Sequence, residues 1–308
     1  MAVIANVLHA QGTDATEVLA KARQALGGDK KLAAITSFVA TGQTRQVRGD
    51  NLIPIEFEIN VQLPDRYSRR DETPAVESGY STSGFNGDGL VQLPAPVAPS
   101  AAQMAAMARP GGPPPPTQEQ LDAAQAMQRK ARVVTLKQDF TRLTLGMFAG
   151  SFPNYPLTFT RIGIAESPQG KADIVEAKGP DNFTARLFIS QDTHLPVMLT
   201  WTTPARAGAT AMGAPAGARA GGAAAPPTAP PAGMTPPAGG VAAPGAARPA
   251  PPAPPENRLY FADYREVDGM QLPFRLRRAV GADTTEETTF DRYKLNVKID
   301  PKKFEVVK

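Results

Sequence analysis

An antiparallel α+β fold follows from three observations. Ile55-Glu-Phe-Glu-Ile-Asn-Val-Gln-Leu63 alternates apolar and polar side chains over nine residues without an error. That is the pattern of a strand with one buried and one wet face. The same two-residue period returns in many short segments between turn residues, and nothing reads as an alternating βαβ unit. Only two stretches carry a long helical stripe. The count comes to about eleven strands and two main helices.

The first helix is expected from about Asp14 to Leu26. Asp14 and Glu17 have capping-box spacing, Leu19, Ala22 and Leu26 share a stripe, and Gly27-Gly28 stops the helix. Strands follow near 37–48, 55–63, 66–73 and 77–85, and Asn86-Gly87-Asp88-Gly89 then reads as a hairpin turn. Thr117 with Gln120 marks a second capping box. Leu121, Ala124, Met127, Ala131 and Leu136 carry that helix onward, toward Phe148 with a break. Strand signals resume at 157–165, 172–178, 183–190 and 195–203, then at 257–265, 270–280 and 285–299. In the last of these, Tyr293, Leu295, Val297 and Ile299 alternate with Lys294, Asn296 and Lys298. No fixed repeat points to a solenoid.

Two tracts interrupt this pattern. Residues 94–116 hold eight Pro and seven Ala, and residues 204–255 hold 14 Pro, 20 Ala and nine Gly. With almost no large apolar side chains they cannot build a core, so disordered insertions are expected at 94–116 and 204–255. The rest, residues 13–308, is expected to form a single domain, large enough for a well-buried core. The tracts hold Arg109, Arg206, Arg219 and Arg248 and no acid, which leaves 29 basic against 29 acidic residues elsewhere. The overall pI of 9.3 therefore does not describe the folded part. A nucleic-acid partner, which would need clustered base on a folded face, is not expected.

The chain has no cysteine, which excludes disulfides, thiolate zinc sites and cysteine nucleophiles. No stretch approaches the roughly 18 apolar residues of a membrane-spanning helix. Residues 1–12 read as a leader. Their apolar run resembles the back half of a signal peptide clipped by a late start codon, with cleavage near residues 10 and 11.

Catalytic chemistry finds little support. The two histidines are His9, in the leader, and His194, in Asp192-Thr-His194, where a tight turn is expected. Gly79-Tyr-Ser81-Thr-Ser83-Gly84 misses the nucleophile-elbow pattern and falls in a strand. The Asn86–Gly89 turn lacks the ligand series of a calcium loop, and no phosphate-binding loop is present. No cofactor, metal or catalytic residue is expected.

Several strand-turn signatures point to a family. Leu187-Phe-Ile-Ser-Gln-Asp-Thr-His-Leu-Pro-Val-Met-Leu-Thr-Trp201 runs strand, Asp-Thr turn, Leu-Pro, strand. Asp263-Tyr-Arg-Glu-Val-Asp-Gly-Met-Gln-Leu-Pro-Phe274 repeats the form, and Tyr293-Lys-Leu-Asn296 with Ile299-Asp-Pro-Lys-Lys-Phe304 closes the chain. With the leading helix, Gly27-Gly28 and Ser37-Phe-Val-Ala-Thr-Gly42, the chain resembles the outer-membrane lipoprotein-sorting superfamily (LolA/LolB-like carriers). The resemblance implies a curved, incomplete antiparallel β-barrel wrapped around helices, with an apolar cavity for acyl chains. No residue here matches the carrier's lid-locking arginine, and the Pro/Ala tracts depart from the family pattern.

A helix over the concave face needs an apolar stripe, so Leu121, Ala124, Met127 and Ala131, with Phe57 and Ile59, are the expected cavity residues. The leading expectation is a monomeric periplasmic or cell-envelope protein that binds lipid, lipoprotein acyl chains or another apolar ligand without chemistry. The alternative is a structural or adaptor module with a filled core, its Pro/Ala loops spanning to a peripheral envelope or membrane-protein partner.

Overall fold

Alternating side chains commit most of the chain to one sheet. The computed structural model describes residues 14–49, 51–74, 79–96, 100–108, 112, 114–168, 170–203 and 255–307. Five strands come first: β1 (Ser37–Arg48), β2 (Asn51–Gln62), β3 (Arg66–Glu72), β4 (Tyr80–Asn86) and β5 (Gly89–Leu93). Seven follow: β6 (Thr158–Ser167), β7 (Gly170–Lys178), β8 (Thr184–Ser190), β9 (Pro196–Thr202), β10 (Glu256–Val267), β11 (Met270–Val280) and β12 (Asp283–Leu295). They pair in the order β5-β4-β3-β2-β1-β12-β11-β10-β9-β8-β7-β6. Two meanders are thus joined where β1 pairs antiparallel with β12, with a bulge at Thr41/Gly42. The sheet is not closed: β5 and β6 are its two edges. The architecture is an incomplete, curved antiparallel barrel around helices.

The helices lie between the two meanders and before them. They are α1 (Ala15–Leu26), α2 (Asp29–Ala33), α3 (Ala101–Ala106) and α4 (Gln118–Phe148). α1 buries Val18, Leu19, Ala22 and Leu26 and packs against α4, β6 and β11. Gly27 ends it at φ 133°, where a β-carbon would meet the Gly269 carbonyl oxygen at 2.8 Å. Asp14 stands at the N-cap, but its side chain makes no capping hydrogen bond, so the expected capping box is not formed. Glu17 instead pairs with Lys21, one turn along, at 2.7 Å.

The Thr117–Gln120 capping box is formed, and α4 runs unbroken for 31 residues to Ala149, which is left-handed at φ 45°. Its C-terminal half buries Val133, Leu136, Phe140, Leu145, Met147 and Phe148 against the concave face. None of its helices among the described residues is long and apolar enough to cross a membrane.

The structure has twelve strands where about eleven were expected. The additional one is β5, which follows the Asn86–Gly89 turn. Leu90 and Val91 are both buried, Leu90 in the core and Val91 beside the C-terminal residues Val306 and Val307. A five-residue strand covered on both faces loses the alternation that marks the others. β12 stops at Leu295 because Asn296 turns left-handed, at φ 52°, although residues 297 and 299 remain less exposed than their neighbours. His194 sits at φ 57° after the expected turn.

Residues up to Thr202 and from Pro255 onward form one compact unit. The first tract contains α3, capped by a Ser100–Gln103 box and burying no residue. The leader expected at 1–12 and all but the last residue of the 204–255 insertion lie outside the described residues. The strands flanking that insertion are register partners, with Thr202 opposite Glu256.

Candidate functional site

Helix α4 is tied to both flanks of the open sheet by adjacent residues. Lys137 Nζ donates to Asp88 Oδ1 of the β4–β5 turn at 2.6 Å, and Gln138 Nε2 donates to the Asp181 carbonyl before β8 at 3.0 Å. Beyond this point the helix enters the sheet, and the concave face closes on it.

Among the described residues the interior holds a hollow of about 80 Å³, bordered by Ile59, Tyr67, Leu143, Leu276 and Phe290 and by charged groups. Arg69 crosses this region, paired with Asp71 at 2.7 Å, donating to Thr44 Oγ1 at 3.0 Å and stacked 4.7 Å from the Phe57 ring centroid. Thr44 and Thr288 share a hydrogen bond of 2.9 Å. Arg142, on α4, is buried over Trp201 at 4.6 Å and Phe183 at 5.4 Å, and pairs with Asp139 at 2.9 Å. Its Nε has no partner among the described residues, and burial lowers its pKa. A buried cation kept by aromatic faces is a structural device for filling a polar interior.

A larger pocket, about 310 Å³, opens where the β2–β3 and β4–β5 turns meet α4 and the connection into β6. Its apolar side is aromatic. Phe85 meets Phe140 edge-on at 5.6 Å, Phe140 stacks with Phe152 at 6.3 Å, and Phe152 meets Phe148 at 5.8 Å. Tyr155 adds a fourth wall residue, its hydroxyl donating to the Pro180 carbonyl at 3.0 Å and its phenol pushed up to about 12 by burial. Thr141 and Thr144 also line it, but their hydroxyls donate to α4 carbonyls, of Lys137 and Thr141 respectively. Lys137, Asp88 and Asp65 supply the charge. A volume of this size sits at the lower end for small-ligand sites, which combine apolar walls with a few polar groups.

A wider recess, about 700 Å³, lies on the other face of the sheet beneath the C-terminal residues 300–307. Its walls combine the charged Arg70, Lys302, Lys303 and Glu305 with the apolar Val91, Leu93 and Val306, and Arg70 stacks on Tyr80 at 3.8 Å.

The six expected cavity residues fall in two places. Phe57 and Ile59 are buried on β2, Phe57 edge-on to Phe290 at 5.4 Å and Ile59 on the 80 Å³ hollow. Leu121 and Ala124 are half-buried, while Met127, 69% exposed, and Ala131 face solvent. None of the six lines the 310 Å³ pocket. Sequence reasoning missed Phe85, Phe140, Phe152 and Tyr155. Phe140 was within reach, because it extends the stripe through Leu136 by one further turn. Among the described residues no three His, Asp or Glu side chains stand together as metal ligands.

No protein-family model matches the sequence, and no curated protein sequence matches it. Solved structures do. A LolA superfamily protein from Nitrosomonas europaea aligns over 96% of this chain and 98% of its own, at 12% identity and a TM-score of 0.50. A domain described as an outer membrane lipoprotein-sorting protein, from Vibrio parahaemolyticus, aligns over 94% and 97%, at 8% identity and a TM-score of 0.44. The likeness to the Nitrosomonas europaea protein shows a shared fold, an open antiparallel sheet wrapped around a long helix.

Proposed function

We propose that this protein is a periplasmic or cell-envelope binding protein whose ligand is a lipid, a lipoprotein acyl chain or another apolar molecule, held without covalent chemistry. The observation that carries this reading is the 310 Å³ pocket with its wall of Phe85, Phe140 and Phe152 beside α4. Phe152 is the partly exposed member of that wall, and each methylene buried against it contributes about 0.8 kcal/mol. Eight methylenes offer about 6 kcal/mol before ordering costs, between millimolar and micromolar affinity. The fold's likeness to a LolA superfamily protein supports the same class of ligand.

Delipidated, folded protein should bind a fluorescent medium-chain fatty acid saturably, with competition by lysophospholipid or lipopeptide. Ser151 is exposed on the pocket wall. S151W should therefore fill the mouth and weaken binding while leaving the melting temperature in place. Absence of saturable binding overturns the proposal.

A second reading rests on the 80 Å³ interior. A filled barrel supports a structural or adaptor module, with partner contacts made from its surface. Native purification that yields a protein partner and no lipid would favour it.

A further inference from the structure

We infer that the pocket's occupant is a single-chain amphiphile with a zwitterionic headgroup, its anionic group on Lys137 and its cationic group on Asp65 and Asp88. This rests on the binding-protein reading above and names the ligand class for that site.

The charges gather at the mouth. Lys137 keeps 21% of its side chain exposed, and its Nζ stands 5.9 Å from the Phe85 ring centroid, so the cation sits where the aromatic wall meets water. Asp88 is fully exposed. Asp65 lines the same pocket, and the two turns are tied there: the Gly87 N–H donates to the Asp65 carbonyl at 3.0 Å.

Among the described residues Lys137 pairs with Asp88 at 2.6 Å. Its hydrogen bond holds the Asp88 carboxyl below the usual carboxylate range, with Lys130 on the same helix adding to the effect, so Asp88 is ionised at neutral pH. Because Asp88 is fully hydrated, opening this pair loses little. The open mouth then presents one ammonium and two carboxylates. A purely anionic head would satisfy Lys137 but crowd the carboxylates. A purely cationic head would face Lys137. A head bearing both signs answers each group, while its chain covers Phe85, Phe140 and Phe152.

The test uses four decyl ligands below their micelle concentrations: decylphosphocholine, decyl phosphate, decylammonium and decanol. Each is titrated calorimetrically into the delipidated full chain. Decylphosphocholine should bind about fivefold more tightly than decanol, and more tightly than either singly charged ligand. K137Q, folded by circular dichroism, should bind decylphosphocholine no more tightly than it binds decanol. The double variant D65N/D88N should make decyl phosphate the tightest of the four. Equal affinity for all four heads, or decyl phosphate strongest on the natural chain, overturns the headgroup inference and leaves the pocket reading standing. Failure of all four to bind overturns both.

Discussion

Gly146 of α4 lies directly against the ring of Phe261 on β10, so that a β-carbon on Gly146 would overlap three ring atoms. Both residues are buried, and the Gly146 carbonyl also accepts from the Tyr264 hydroxyl at 3.1 Å. The helix therefore approaches the sheet closely at this point because one side chain is missing. Alanine would gain about 1 kcal/mol of helix propensity here, against about 1–3 kcal/mol or more for overpacking. G146A should thus lower stability, measured by urea unfolding, although the same change in an exposed helix raises it.

The two halves of α4 should respond differently to truncation. Phe140 is buried among Tyr67, Phe85 and Phe152, so F140A should cost about 3–5 kcal/mol. Met127 is 69% exposed, and M127A should change stability by no more than about 0.5 kcal/mol. Paired denaturation curves check this. Similar losses at both positions would mean that the N-terminal half is covered in solution.

Replacing residues 204–254 with a short Gly/Ser loop should leave one cooperative transition and move the melting temperature by only a few degrees. Thr202 and Glu256 already face each other across β9 and β10, and loop closure changes by about 0.6 kcal/mol for each doubling of length. Differential scanning calorimetry reads the outcome, and a transition that splits or vanishes would contradict it.

Alkaline pH should weaken the fold through Tyr67. Burial pushes its phenol up to about 12, against an ordinary value of 10.0, so the native state holds a proton that the unfolded chain releases. Its contribution is complete below pH 10 and is lost as pH rises toward about 12. The loss reaches at most about 3 kcal/mol. Y67F should make the stability profile less steep across that window, and phenolate absorbance should show Tyr67 titrating above the ordinary phenol range together with the other buried tyrosines, Tyr155, Tyr264 and Tyr293.

Most strands were legible because a sheet with one wet face writes its period into the chain, as residues 55–63 do. Turns were legible where left-handed backbone selects particular residues. Asp268 at φ 52° and Gly269 at φ 79° make the tight β10–β11 reversal. Asp14 misled because spacing announces a capping box without showing where the carboxylate points. The pocket was harder to read. Its walls come from residues 64–65, 85–88, 137–144 and 150–155, and their meeting depends on how far the sheet curls, which no local period encodes. The stripe on α4 led away from the 310 Å³ pocket for a related reason. Helical periodicity runs along the whole helix, whereas the sheet covers it only from Val133 onward.

The pairing of β1 with β12 also bears on the order in which the molecule can be assembled. Thr44 and Thr288 share a hydrogen bond across 244 positions of sequence, and contacts of such long range form slowly. A ribosome or a membrane channel that releases the chain from its N-terminus exposes β1 long before its partner emerges. Until then the first meander carries an unpaired inner edge, open to the wrong strand or to another chain. The final seam therefore waits for the complete chain. In a cell, that delay sets the interval during which a holdase chaperone has something to protect.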